Sequence, residues 1–305
     1  MSVLTAYVVV VGLVVAGTLY TPGFSGIGQL RTYAVQASFI GLVGLGQTLC
    51  ILTGGIDLSV PAVITGSAVM TSILCHGDSA RLAPVIVLVV CLAAVAGVVN
   101  GIGVAYANVP PIIMTLGMGG VVQGLMLVYT KGGISSFPPP ALARFVVGRT
   151  LGVPHLLWFW AAIIATGAVL LAVTPFGRRL YAIGANREAA LIAGVDVRRM
   201  LVAPYVVSAV GAAVTGVLLM GYNGQAYLTM GDPYLFASAA AVAVGGASIL
   251  GGSGNYVGTV AGALVLTVLS ALLIVFSLGA GWLLITYGAV LLTAALLASV
   301  RVQRR

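Results

Sequence analysis

The chain has 305 residues, of which 61% are hydrophobic and only 6% charged, with a formal net charge of +8. A soluble domain carries roughly 25% charged residues, so this composition excludes a water-covered globule. The basic residues lie in loops without interleaved aromatics, which excludes a nucleic-acid surface and leaves the lipid bilayer as the surroundings. Apolar runs of about 18 residues or more recur, each long enough to cross about 30 Å of hydrocarbon. The fold class is therefore an all-α polytopic membrane protein.

The first apolar run, Val3–Tyr20, has no Lys or Arg before it, the first basic residue being Arg31. A secretory signal needs a positive leading region, so the run reads as a retained helix. Helices are predicted at about 3–20, 33–52, 60–75, 84–107, 112–130, 156–173, 202–222, 236–250, 257–278 and 281–299. About ten crossings put both termini on one side. The segment 174–201 carries Arg178, Arg179, Arg187, Arg198 and Arg199, and the tail carries Arg301, Arg304 and Arg305. Both clusters fall on the same side, which the positive-inside rule makes the cytoplasm. The other face receives Arg31, Arg81, Lys131, Arg144 and Arg149.

Two of these helices are short. At about 1.5 Å per residue, 236–250 spans only roughly 22 Å and 60–75 roughly 24 Å, so each reads as a half-helix or a short span. Each lies beside a glycine-rich break. The first, "TGGIDLSVPAV" (53–63), places Gly54, Gly55, Asp57 and Ser59 between long apolar runs, with Pro61 in the first turn of the next helix. Asp57 or Ser59 is expected to cap that helix. An isolated carboxylate is costly at membrane depth, which favours capping over substrate contact for Asp57. "GGIDLSVPAVITGSAV" (54–69) aligns with "GGSGNYVGTVAGALV" (251–265), a possible internal repeat. The 42 glycines signal close helix packing in lipid, not a function.

Much chemistry is excluded. Lys131, the only lysine, is followed by two glycines, so no Walker A loop can form. His76 and His155 lie at expected outer helix edges and form no His-x-x-x-His pair. Cys50, Cys75 and Cys91 are odd in number and lack metal-ligand spacing, and they read as small buried hydrophobes. The acids are Asp57, Asp78, Glu188, Asp196 and Asp232, and only Asp57 falls near membrane depth. Ion-coupled transport through that one carboxylate is the alternative from another class.

The segment 174–200 is the longest polar region assigned to the inner face. Within it, "REAALIAGV" (187–195) predicts a helix of about two turns, capped by Asn186, with Glu188 in its first turn and Gly194 ending it. Arg187, Glu188, Ala189, Ala190 and Gly194 form a candidate docking surface.

Glu188-Ala189-Ala190-x-x-x-Gly194 resembles the EAA loop of ABC importer permeases. "LGQTLCILTGGIDLSV" (45–60), "ANVPPIIMTLGMGGVVQGL" (107–125), "TPFGRRLYAIGANREAALIAGVDV" (174–197) and "AVAVGGASILGGSGNYVGTVAGALV" (241–265) resemble the ribose/xylose/galactoside-type permeases of the branched-chain amino acid permease superfamily. The family often has Gly after "DLSV", where this chain has Pro61. The resemblance implies a single permease domain, 1–305, with 174–201 as its cytoplasmic coupling loop, in the inner membrane of a bacterium. It implies import of a monosaccharide, a pentose or hexose, with branched-chain amino acids, nucleosides or autoinducer-like sugars as alternatives within the superfamily. It also implies a second permease subunit, identical or related, a periplasmic sugar-binding protein, and a separate cytoplasmic ATPase. This chain would bind no cofactor, and ATP and Mg would be used by the ATPase. Transport would proceed by alternating access, with helices around 42–53, 112–123 and 241–256 contributing to the pathway. Gln47, Thr48, Asn100, Thr115 and Gln123 offer neutral hydrogen bonds suited to sugar hydroxyls or to helix packing, and Gly245 and Gly246 mark the second break.

Overall fold

The computed structural model describes residues 3–133 and 137–303. In chain order its helices are α1 (Val3–Tyr20), α2 (Ile27–Leu52), α3 (Val60–Cys75), α4 (Leu82–Ala105), α5 (Pro111–Thr130), α6 (Pro140–Val147) and α7 (His155–Ala172). They continue with α8 (Pro175–Ala185), α9 (Arg187–Ile192), α10 (Val197–Asn223), α11 (Tyr234–Val244), α12 (Tyr256–Val275) and α13 (Ala280–Gln303). A two-residue antiparallel ladder, β1 (Arg149–Thr150) with β2 (Val153–Pro154), separates α6 from α7.

Among the described residues, seven helices (α1, α2, α4, α5, α7, α10 and α12) are long and apolar enough to cross a membrane, α3 and α11 are shorter apolar helices, and α13 is apolar over Gly281–Leu296. On α1 the exposed residues Leu4, Val8, Val11, Val15 and Leu19 recur every three or four positions. Only hydrocarbon or another apolar surface suits such a face. The two helices beside the glycine breaks are short, as expected. α3 has 16 residues, or roughly 24 Å, and α11 has 11, or roughly 16 Å.

Where boundaries differ from the sequence reading, local chemistry accounts for it. α2 begins at Ile27, six residues earlier than expected, because Phe24 and Tyr33 pack with Val268 and Leu272 of α12 and anchor the polar first turns. α10 begins at Val197 because the Asp196 carboxylate accepts from Arg199 N at 3.1 Å. α8 stands where the sequence reading expects loop. Thr174 caps it, accepting from Gly177 N at 3.3 Å, and Pro175 occupies its first turn. α11 stops at Val244 because the backbone of Gly245 lies against that of Gly258 and Gly246 takes φ +91°. Cys50 and Cys75 are buried, whereas Cys91 is exposed on α4, the side of that helix left to an apolar surrounding.

The chain forms two compact units. The first contains the residues up to Gly54, Trp160–Val195 and those from Phe236 onward. In it α12 packs on α2 and α1, and α8 meets the end of α2. The second contains Gly55–Phe159 and Asp196–Leu235. There α10 packs on α4 and α3, α3 on α5, and α6 on α10. The chain passes from the first unit to the second between Gly54 and Gly55, inside the first glycine break.

Candidate functional site

In the second unit the break residues sit in a buried polar network. Two glycines make room for it: a Cβ at Gly97 would meet Tyr205 O and Val206 Cα, and one at Gly101 would meet Val202 Cα. These contacts bring α4 against α10 backbone to backbone, with Asn100 on the same region of the helix. Asn100 Nδ2 donates to Ser59 Oγ at 3.0 Å. Ser59 Oγ donates in turn to Asp57 Oδ1 at 2.6 Å, and Ser59 N donates to the same oxygen at 2.9 Å. Asp57, Ser59 and Asn100 are all essentially fully buried. The Ser208 hydroxyl of α10 stands beside the carboxylate without closing a bond of regular geometry.

Capping is thus divided differently from expectation. Ser59 is the N-cap residue of α3 but makes no side-chain cap bond, since its hydroxyl is committed to Asp57. Asp57 folds the turn back on Ser59 instead, and Pro61 occupies the first turn of α3. On the other side of the turn Thr115 Oγ1 accepts from Leu58 N at 3.0 Å and donates to Pro111 O at 2.8 Å. Gly55 lies where a Cβ would collide with the Tyr205 hydroxyl.

In the first unit the second break is closed mainly by backbone. Gly246, Gly251, Gly252 and Gly254 all take positive φ, a region that side chains disfavour. Ser248 N donates to Ser253 O at 2.8 Å, and Gly252 N donates to Leu52 O, the last carbonyl of α2, at 3.0 Å. Asn255 Oδ1 accepts from Gly258 N at 2.6 Å and caps α12. Thr48 and Thr259 share a buried 2.7 Å hydrogen bond between α2 and α12. Gly54, φ +79°, is exposed.

The third element is α9. Asn186 Oδ1 accepts from Ala189 N at 3.0 Å, and Gly194, φ +80°, ends the turn as its N–H donates to Leu191 O and Val195 N donates to Ala190 O. Ala190 is buried, while Arg187, Glu188, Ala189 and Gly194 are exposed. Leu191 is 56% exposed and Ile192 89%. A six-residue helix thus presents a bare apolar tip between charged flanks.

The structure therefore brings Gly55, Asp57, Ser59, Asn100 and Thr115 together, and groups Thr48, Gly54, Gly245 and Gly246 in a second place. Gln47 is fully buried on α2. Gln123 is exposed on α5 and joins neither network. Sequence reasoning missed Tyr205, Thr259, Leu191, Ile192 and Tyr181. Tyr181 Oη donates to Gly254 O at 2.6 Å. Burial pushes its hydroxyl above the usual tyrosine range, so it remains a donor at neutral pH. Only Leu191 and Ile192 carried a usable signal: apolar residues beside Glu188 in the most charged segment of the chain.

The family described as branched-chain amino acid transport system / permease component matches residues 29–299. The ribose import permease protein of Bacillus subtilis is 35% identical over 292 residues, which cover 93% of this chain and 89% of that protein. Its Escherichia coli K12 counterpart is 33% identical over 282 residues, 90% of this chain and 87% of that one. The autoinducer 2 import system permease protein LsrC of Escherichia coli K12 / DH10B is 32% identical over 280 residues, 92% and 81% respectively. No solved structure matches the chain significantly.

Proposed function

Given that the chain belongs to the branched-chain amino acid transport system permease family, we propose that it is the membrane-spanning subunit of a bacterial ABC importer for a monosaccharide. The observation that carries this reading is likeness to ribose import permeases along nearly the whole chain. The 305 residues act as one permease domain in the inner membrane, with both termini and the segment 174–201 in the cytoplasm. A second permease subunit completes the pathway, and a periplasmic binding protein delivers the sugar. A separate ATPase uses ATP and Mg, and this chain contributes no nucleotide site of its own. Closure of the ATPase on ATP drives the permease between outward- and inward-open states.

The exposed face of α9 is the docking surface. Arg187 and Glu188 set register, Ala189 gives a close-fitting face, and Leu191 and Ile192 enter an apolar groove of the ATPase. Gln123, exposed on α5, offers a neutral amide to sugar hydroxyls. Gln47, Thr48 and the buried residues around Asp57 hold the helices that shape the pathway. The committed hydrogen bonds of Asp57 favour this scaffold role over an ion-coupling one.

The test is uptake of labelled ribose into proteoliposomes holding the permease with its ATPase and binding protein. Uptake should require ATP and be indifferent to a proton uncoupler. Replacing Leu191 and Ile192 by Asp should release the ATPase from the purified complex. Autoinducer 2 serves as the competing substrate, since the likeness to LsrC is nearly as strong. Uptake of ribose that persists without ATP and collapses with the uncoupler would refute the importer reading.

A further inference from the structure

α8 leads directly into α9. A single residue, Asn186, ends α8 and begins α9: its N–H donates to Ala182 O at 3.0 Å while its side chain caps α9. A two-helix elbow with a one-residue hinge and bonds on both sides has little slack.

The body of α8 rests on the ends of two other elements of the same unit. A Cβ at Gly184 would collide with Leu52 O, the terminal carbonyl of α2, and would reach Gly252 N and Cα. A Cβ at Gly251 would come within 3.3 Å of Gly184 O and 3.0 Å of Gly54 N. Gly252 N donates to Leu52 O in the same spot. One turn earlier on α8, Tyr181 Oη holds Gly254 O at 2.6 Å. Gly254 immediately precedes Asn255, the cap of α12. Three backbones (the C-terminus of α2, the turn before α12 and α8) therefore meet without a side chain between them. Tyr181 adds a side-chain bond from α8 to that turn.

Such a joint is poorly suited to ligand binding, because its polar groups are already matched to one another. It is well suited to transmission, because backbone contacts deform less than side-chain contacts. We propose that Tyr181 and Gly184 are the positioning residues that convey movement of the docking helix α9 to the break between α2 and α3 and to the break before α12. This rests on the docking role proposed for α9. It adds that force enters the bundle through α8 at the two glycine breaks, and that the Tyr181 hydroxyl latches the second of them.

The experiment reconstitutes the complete importer, comparing the unaltered protein with Tyr181→Phe and Gly184→Ala. Three quantities are read: ATPase co-purifying with the permease, ATP hydrolysis stimulated by the binding protein, and sugar moved per ATP hydrolysed. Tyr181→Phe removes only the hydroxyl. It should leave co-purification and hydrolysis near those of the unaltered protein and lower the transported-to-hydrolysed ratio by about five-fold, the order expected for one hydrogen bond. Gly184→Ala should lower the ratio further where the complex still assembles. An unchanged ratio in Tyr181→Phe overturns the proposal, as does loss of the ATPase from that variant, which would make the hydroxyl a docking or folding element. An unaltered permease that retains no ATPase refutes the docking role itself, before the variants are compared.

Discussion

The two glycine breaks share sequence character but are built by different means. Around Asp57 the turn is held by side chains, through the Asn100–Ser59–Asp57 chain and the bracket that Thr115 forms on Leu58 and Pro111. Before α12 the turn is held by main chain, through Gly252 N on Leu52 O, Ser248 N on Ser253 O, and four glycines at positive φ. A side-chain network tolerates small relative shifts, because rotamers can follow. A main-chain joint either keeps its geometry or opens. The first break thus has the character of a packed anchor and the second that of a hinge seat, which is where α8 rests on its own unit.

The largest effect expected from this contrast is at the hinge seat. Gly252→Val places a β-branched residue at φ +74°, with its Cβ at 3.0 Å from the Ala185 backbone. Strain of this kind costs about 1–3 kcal/mol before any clash is counted. The purified yield of folded permease should fall sharply, read by size-exclusion chromatography in detergent. Wild-type yield and melting temperature would remove the distinction between the breaks.

The anchor should respond more gradually, and to chemistry more than to shape. Asp57→Ala leaves Ser59 N and Ser59 Oγ, both buried, without their acceptor. That should cost roughly 1–3 kcal/mol and lower the apparent melting temperature of the detergent-solubilised protein. Asp57→Asn keeps the oxygen that accepts both bonds and should stay close to wild type in stability and in transport. A transport defect in Asp57→Asn with stability intact would show that the charge itself is used, contrary to an anchoring role.

How much of this could be read in advance depended on whether a signal was local. The end of α3 nearest Asp57 was legible, since Gly54, Gly55 and Pro61 punctuate the chain within a few residues. So were the limits of α9, because Asn186, Glu188 and Gly194 are local caps. α8 was not, because Gly177, Gly184 and the arginine pair at 178–179 dilute its apolar positions Leu180 and Ile183. Asn100 stood out as a polar residue in an apolar run, but its partner Ser59 lies 41 positions away. Tyr181 and Tyr205 gave no signal, because a tyrosine hydroxyl aimed at a distant glycine backbone leaves no spacing in the sequence. The pairing of Thr48 with Thr259, 211 positions apart, is of the same kind.

That threonine pair gives the smallest expected effect, and it asks whether side-chain bonds matter near the hinge seat at all. Thr48→Val preserves volume and branching and removes one hydroxyl. Thr48 also donates to Gly44 O in its own helix at 2.6 Å, and Thr259 has a second outlet in Asn255 O at 3.4 Å. Both groups therefore have local alternatives, and interhelical hydrogen bonds in membranes average only about 0.6 kcal/mol. The packing at this point is set by Gly44, where a Cβ would meet Thr259 Cγ2 at 2.8 Å. Thr48→Val should shift the melting temperature by a degree or two at most and leave uptake unchanged. A loss comparable to that of Asp57→Ala would mean that the second unit's reliance on side chains extends to the first, and that the main-chain joint is not what holds α2 to α12.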